Sequence, residues 1–193
     1  MERIFENGRC LYDGYQRATP VKYGSLGEEV RRDPVYRRAL KAARLPAVES
    51  MVVEARFMNL FILIKFFLRD LASQNIIEFG AFKGGSAIFM ATLLAEYYPG
   101  ARLFSLDTFS GLPSLKEGVD KPPEDFLDIN LKLTRETANS LGLTNLEFIQ
   151  GLIEDTAIDA CKRLGSIGLA HIDVVLYGPV HFCPKHRLGA HDA

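Results

Sequence analysis

Beyond residue 70, the chain alternates between short apolar runs and segments with apolar residues at helical spacing. The apolar runs have the length of β-strands and occupy residues 75–80, 102–106, 146–149 and 167–175. The segments between them that have helical spacing occupy residues 86–98, 125–141 and 155–164. Strands that alternate with helices pair in parallel through right-handed crossovers. The pattern therefore predicts an α/β fold with a mostly parallel sheet and helices on both faces.

The first 71 residues have a different pattern. Residues 1–48 are polar and interrupted by glycine and proline, which predicts short helices outside a core, as an N-terminal cap. Residues 49–71 are nearly continuously apolar and contain neither glycine nor proline, which predicts a long helix buried on several sides. Basic residues between Arg31 and Arg44 form a solvated helix face, a lid over an anionic substrate or a dimer contact. The sequence leaves these three interpretations open.

Length and composition indicate one globular domain that binds a small molecule. The chain has 193 residues, 48% of them hydrophobic, and a net charge of -1, so no global charge favours nucleic acid or an anionic membrane as a partner. The most apolar run, residues 57–68, is shorter than the roughly 20 residues that span a bilayer. It also contains Asn59 and Lys65. We expect no membrane segment.

The cysteines and the N-terminus indicate a cytoplasmic protein. Cys10, Cys161 and Cys183 lie far apart, without zinc-ligand spacing or the density of a disulfide framework. The first twenty residues lack the apolar core and cleavage site of a signal peptide.

Informative residues stand where the predicted strands end, which is where ligands bind in sheets of this kind. Gly80 lets the chain turn sharply and lets a ligand approach the backbone. The run Gly84-Gly85-Ser86 opens the next helix with N–H groups that can bind a carboxylate or a phosphate. Asp107 ends the second predicted strand and can accept hydrogen bonds from ribose hydroxyls. Together these positions favour a nucleoside cofactor.

The glycine spacing narrows the choice of cofactor. Glu78-x-Gly80-x-x-x-Gly84-Gly85-Ser86 differs from the G-x-G-x-x-G of dinucleotide-binding proteins, and it lacks the lysine of a Walker A loop. A nucleotide-sugar or dinucleotide enzyme stays the weaker alternative.

Four segments of the chain then resemble one known family. They read IIEFGAFKGGS (76–86), LDTFSGLP (106–113), FIQGLIEDT (148–156) and AHIDVVLY (170–177). Together they resemble the macrocin O-methyltransferase (TylF-like) family of class I methyltransferases, over about residues 50–178. The resemblance implies a Rossmann-like fold and S-adenosylmethionine as the cofactor. It also implies methyl transfer to a hydroxyl of a sugar or another small acceptor, as in secondary metabolism.

The resemblance also implies positions for the cofactor. Around its methionine part it places Glu78, Gly80, Ala81 and Ser86. It places Asp107 on the ribose and Thr108, Gln150 and Gly151 beside the adenine.

Asp173 is the catalytic residue that the resemblance implies. It would lie near the transferring methyl, help bind Mg²⁺ and act as general base. The family has a second acidic residue two positions later, where this chain has Val175. Because Mg²⁺ takes about six oxygen ligands, we expect a weakened metal site. His171 is interpreted as a core histidine, with a catalytic base as the alternative.

The last residues depart from the family pattern. Residues 181–193 have neither strand nor helix periodicity, and the family's later acidic pair and strands have no counterpart. We expect a truncated or frame-altered tail and an exposed sheet edge that favours a homodimer. The predicted units are a cap (1–48), a methyltransferase core (49–178) and a tail (179–193). A silent module that binds the cofactor without catalysis is a second hypothesis. The tail offers a weaker metal hypothesis through His181, Cys183, His186 and His191.

Overall fold

A four-stranded parallel sheet forms the centre of the protein. The structure, a computed structural model, describes residues 4–6, 9–12, 21–22, 25–111 and 129–174. The parallel strands are β4 (Ile76–Phe79), β5 (Leu103–Asp107), β6 (Leu146–Gln150) and β7 (Leu169–Ile172). Their order across the sheet is β6-β5-β4-β7. This architecture confirms the predicted α/β fold.

Helices cover both faces of the sheet. They are α1 (Ser25–Arg32), α2 (Pro34–Ala43), α3 (Glu54–Ile62), α4 (Gly85–Tyr97), α5 (Leu131–Ser140) and α6 (Ile153–Leu164). On one face, Ile76 and Leu103 belong to the core cluster that α1 to α5 help to form. On the other face, Ile77 and Phe104 pack with the apolar side of α6. Neighbouring residues of a strand therefore enter different cores, as the pleat requires.

The helix predicted over residues 49–71 begins later than expected. It starts at Glu54 as α3 and continues through a π-helical turn (Leu63–Phe67) and a 3₁₀ turn (Leu68–Asp70). The segment before it is extended because the Arg44 guanidinium donates hydrogen bonds to the carbonyl oxygens of Ser50 (3.0 Å) and Val52 (2.9 Å). Within the described ranges, none of the helices is both long enough and apolar enough to cross a bilayer.

The N-terminal part also differs from the predicted helices outside a core. The chain forms three antiparallel strands there, β1 (Ile4–Glu6), β2 (Arg9–Tyr12) and β3 (Val21–Lys22). Helix α2 contributes Tyr36 and Ala39 to the main core, where both are buried. A Cβ at Gly85 would lie 2.4 Å from the Val48 carbonyl oxygen, so this glycine lets α4 approach the chain that follows α2.

The basic residues of α1 and α2 make contacts within the protein. Arg31 pairs with Glu54 (3.1 Å), and Arg38 pairs with Glu96 (2.7 Å). These ion pairs tie the first two helices to α3 and α4.

Candidate functional site

Three predicted site residues meet at the carboxyl ends of adjacent strands. Strand β4 has β5 on one side and β7 on the other, which makes the space above it the topological switch point of the sheet. Gly80 follows β4, Asp107 ends β5 and Asp173 follows β7. The Gly80 N–H donates to the Leu106 carbonyl oxygen and the Asp173 N–H to that of Phe79, both at 2.9 Å. These bonds hold the three strand ends in register.

Gly80 occupies a position that excludes a side chain. Its φ is +93°, in the left-handed region. A Cβ there would lie 2.4 Å from the Asp173 carbonyl oxygen and 3.1 Å from Cγ1 of Val174. The glycine is therefore required both by its backbone conformation and by the close approach of the chain after β7.

The N-terminus of α4 lies just beyond this turn. Gly84 caps the helix with a φ of 87°, and the Ile88 N–H donates to its carbonyl oxygen at 2.9 Å. The N–H groups of Gly85 and Ser86 consequently precede the hydrogen-bond ladder of the helix and point out of its end. Ser86 is buried, and so is Ala81 in the preceding loop.

Asp107 joins two loops of the site. One of its carboxylate oxygens accepts a hydrogen bond from the Phe82 N–H (2.8 Å), and the other accepts one from the Phe109 N–H (2.9 Å). Both phenylalanines have positive φ, 52° and 49°, which is unusual for a residue with a side chain. A carboxylate has about four acceptor positions, so Asp107 retains capacity for a ligand hydroxyl.

The three residues predicted beside the adenine form one cluster with Asp107. The Thr108 hydroxyl donates to the Gly111 carbonyl oxygen (2.5 Å), and the Gln150 amide donates to the Thr108 carbonyl oxygen (3.2 Å). The Gly151 N–H donates to the carbonyl oxygen of Asp107 (3.0 Å). This network places the ends of β5 and β6 side by side.

Glu78 lies inside the sheet, below the strand ends. It is fully buried, and the strand register sets it opposite Ser105 on one side and His171 on the other. The Ser105 hydroxyl donates to Oε2 of Glu78 (2.6 Å), and Nδ1 of His171 is 3.1 Å from Oε1. Sequence reasoning missed Ser105, although it is a polar residue inside an apolar strand. Both carboxylate oxygens of Glu78 thus have partners in the polar row Ser105-Glu78-His171.

The pKa of His171 is raised by its partners. Burial lowers this pKa, but the hydrogen bond to Glu78 and the negative charges of Glu78 and Asp173 raise it by more, against a smaller opposing effect of Arg56. The imidazole of His171 therefore binds its proton more tightly in the folded protein than in the unfolded chain. This environment is that of a core histidine with a buried partner, the first interpretation above.

We expect His171 to make stability depend on pH. Its folded-state pKa exceeds the unfolded value of about 6.5, so its contribution is complete below that value and is lost as pH rises through the folded-state pKa. The difference in free energy of unfolding between the wild type and His171→Gln should shrink with rising pH. Urea denaturation of both proteins from about pH 5 to about pH 9 measures it. If the difference in free energy of unfolding stayed constant over this pH range, the raised pKa of His171 would be contradicted.

Asp173 forms an ion pair with Arg56, a residue that sequence reasoning did not identify. Nη1 of Arg56 lies 3.1 Å from Oδ1 of Asp173, and their side chains are 42% and 34% exposed. Arg56 comes from the first turn of α3. The two residues are 117 positions apart, so no local pattern indicates their contact.

The residues that the structure describes do not fit the magnesium site that the resemblance implies. Asp173 supplies one carboxylate, and a guanidinium already contacts one of its oxygens. Mg²⁺ takes about six oxygen ligands. In the part of the chain that the structure describes, no group of three or more His, Cys, Asp or Glu side chains is arranged to hold a metal. Val175 and the histidines and cysteine of the tail lie outside the described residues.

Three solved structures with a similar fold are methyltransferases. NovP, an O-methyltransferase, is 20% identical with a TM-score of 0.58, over 83% of this chain and 75% of NovP. CalS11, a calicheamicin methyltransferase, is 16% identical with a TM-score of 0.52, over 76% of this chain and 70% of CalS11. PaMTH1 from Podospora anserina, solved with S-adenosylhomocysteine, is 15% identical with a TM-score of 0.52, over 86% of this chain and 64% of PaMTH1. At these identities the likeness shows the fold.

The family assignment comes from the sequence itself. A comparison with curated proteins gave no match. The family described as macrocin-O-methyltransferase (TylF) matches residues 20–181, which is well over half of the chain. The match extends the likeness seen in the four motif segments toward both termini. The chain belongs to the macrocin O-methyltransferase (TylF) family of S-adenosylmethionine-dependent O-methyltransferases.

Proposed function

We propose that the chain binds S-adenosylmethionine at the switch point and methylates a hydroxyl of a sugar or another small metabolite. The observation that carries this proposal is the convergence of Gly80, the N-terminus of α4 and Asp107 on neighbouring strand ends. CalS11 is a calicheamicin methyltransferase, which supports an acceptor from secondary metabolism.

The site has a complement for each polar part of the cofactor. The N–H groups of Gly85 and Ser86 at the start of α4 would bind the methionine carboxylate, since helix N-termini favour anions. The remaining acceptor positions of Asp107 would bind the ribose hydroxyls. Thr108 and the Gln150-Gly151 turn would flank the adenine. Glu78 would not contact the cofactor directly. Its buried hydrogen bonds would instead fix strand β4, which lies beneath the cofactor site.

The chain's own contribution to methyl transfer would be alignment and proton acceptance. Bound S-adenosylmethionine supplies a methyl group on a positively charged sulfur. Asp173 has one carboxylate oxygen that is not the one paired with Arg56. This oxygen would take the proton of the acceptor hydroxyl as the hydroxyl oxygen bonds to the methyl carbon, while the methyl–sulfur bond breaks and its electron pair goes to the sulfur. Because methyl transfer needs an in-line approach, the orientation of the acceptor would dominate the rate.

Calorimetric titration with S-adenosylhomocysteine tests the cofactor site. We expect saturable binding by the wild type and a loss of about 1 to 3 kcal/mol, roughly 5- to 150-fold in Kd, for Asp107→Ala, because a partly buried acceptor is removed. Asp159→Ala is the matched control, since the Asp159 side chain is 73% exposed on α6. Equal affinities of the two variants would refute the placement of the ribose.

The same titration, together with a methyl-transfer assay, separates the alternative functions. Tighter binding of NAD than of S-adenosylhomocysteine would favour the dinucleotide enzyme. Binding of S-adenosylhomocysteine with no methyl transfer to any sugar acceptor would favour the silent module.

We further propose a cytoplasmic protein with a methyltransferase core over residues 49–178, a cap over residues 1–48 and a homodimeric assembly. Strand β7 lies at the edge of the four-stranded sheet as described, and a strand edge can pair with a second copy. The molar mass in solution by light scattering tests the dimer. The proposed tail, residues 179–193, lies outside the described part of the chain.

A further inference from the structure

The ion pair between Arg56 and Asp173 stands at the centre of the candidate site. The backbone of Asp173 is fixed, because its N–H donates to the Phe79 carbonyl oxygen (2.9 Å) and its own carbonyl oxygen packs against Gly80. Its carboxylate is thus set beside the glycine turn of the site. Nη1 of Arg56 reaches Oδ1 of this carboxylate at 3.1 Å from the other side, from helix α3. Both side chains remain partly exposed, so a ligand can reach the pair.

Among the described residues, the charges around this pair do not suit a divalent cation. Glu78, whose strand pairs with β7, is fully buried and already contacts His171 and Ser105. A cation bound to the second oxygen of Asp173 would face the guanidinium of Arg56 at short range, and like charges repel strongly in a partly buried site.

We propose that Arg56 is a positioning residue that supplies, next to Asp173, the positive charge that a metal ion would supply, so that ligand binding by this chain does not depend on Mg²⁺. The inference rests on the proposed cofactor site and adds to it the means by which Asp173 is neutralised and oriented. A guanidinium holds a carboxylate in a fixed geometry without the six ligands that Mg²⁺ requires. The second oxygen of Asp173 then stays directed to the acceptor.

The charge of the cofactor provides a test of this role. S-adenosylmethionine carries a positive sulfur, whereas S-adenosylhomocysteine is neutral there. With Arg56 present, the charge of Asp173 is compensated, and the two ligands should differ little in Kd. Without Arg56, the uncompensated carboxylate attracts the positive sulfur, so the ratio of the two Kd values should shift about tenfold toward S-adenosylmethionine.

The experiment is calorimetric titration of the full chain with both ligands, in saturating magnesium chloride and in EDTA. We expect the wild-type Kd for S-adenosylhomocysteine to be the same in both solutions. Arg56→Met should shift the ratio as stated, and Arg56→Lys, which retains the charge, should keep it near the wild-type value. Arg56→Met combined with Asp173→Asn should restore the ratio. Arg69→Met is the matched control, since the Arg69 side chain is 64% exposed and pairs with its neighbour Asp70.

Three results would overturn the inference. Tighter binding of S-adenosylhomocysteine by the wild type in magnesium would show that a metal completes the site. If Arg56→Met and Arg56→Lys both raised the Kd values of the two ligands by the same factor, the role of Arg56 would be purely structural. Absence of binding by folded wild-type protein would overturn the proposed cofactor site together with this inference, whereas binding that depends on magnesium would overturn the inference alone. Circular dichroism of each variant confirms that it is folded.

Discussion

Replacing Gly80 by alanine is expected to lower the free energy of unfolding by about 3 kcal/mol or more and to abolish cofactor binding. Alanine is strained at a φ of +93°, and its Cβ would lie 2.4 Å from the carbonyl oxygen of Asp173, a backbone atom that cannot rotate away. The chain after β7 would have to move from β4. Urea denaturation measures the loss of stability, and titration with S-adenosylhomocysteine measures the loss of binding.

Two other glycines separate the causes of this effect. Gly142 has a φ of +72° but no atom within 4 Å of its Cβ position, so Gly142→Ala carries the backbone strain without the clash. It should cost about 1 kcal/mol. Gly100 has open space around its Cβ position, and Gly100→Ala should cost less. Equal losses for Gly80→Ala and Gly142→Ala would show that the approach of β4 to Asp173 is not rigid.

Replacing Glu78 by alanine should destabilise the protein by about 3 to 5 kcal/mol, the range for removing one partner of a buried ion pair. Glu78 is fully buried, and its removal leaves the Ser105 hydroxyl and the His171 imidazole without their shared acceptor. A cavity remains in the central strand as well. The measurement is the midpoint of urea denaturation at about neutral pH, where the wild-type and variant m-values should agree.

Glu136→Ala is the control for this prediction, because Glu136 is 59% exposed and pairs with Lys132 one helical turn away. Exposed pairs of this kind contribute about 0.5 kcal/mol or less. Glu78→Gln retains the volume and one acceptor oxygen, so it should fall between the two. A loss for Glu78→Ala as small as that for Glu136→Ala would contradict a structural role of the polar row Ser105-Glu78-His171.

The sequence by itself determined the α/β class and the positions of the central strands. The run over residues 75–80 corresponds to β4, and the run over residues 102–106 corresponds to β5 within one residue. These predictions succeed because strands and helices impose different periods on the apolar positions. The sequence also predicted Gly80 and Asp107 as site residues, because the ends of strands can be located from the local pattern alone.

Only the tertiary structure decided the strand order, the true start of α3 and the partners of the charged residues. Arg44 keeps residues up to Val52 extended, although their composition favours a helix. Glu78 meets His171 because β4 and β7 are neighbours in the sheet. Arg56 meets Asp173 because helix α3 packs beside the end of β7. Such contacts depend on how distant segments pack against a common core. The spacing of apolar residues along the chain does not show this packing. The sequence pattern could not show that an arginine from the distant helix α3 pairs with the carboxylate of Asp173, the predicted metal ligand.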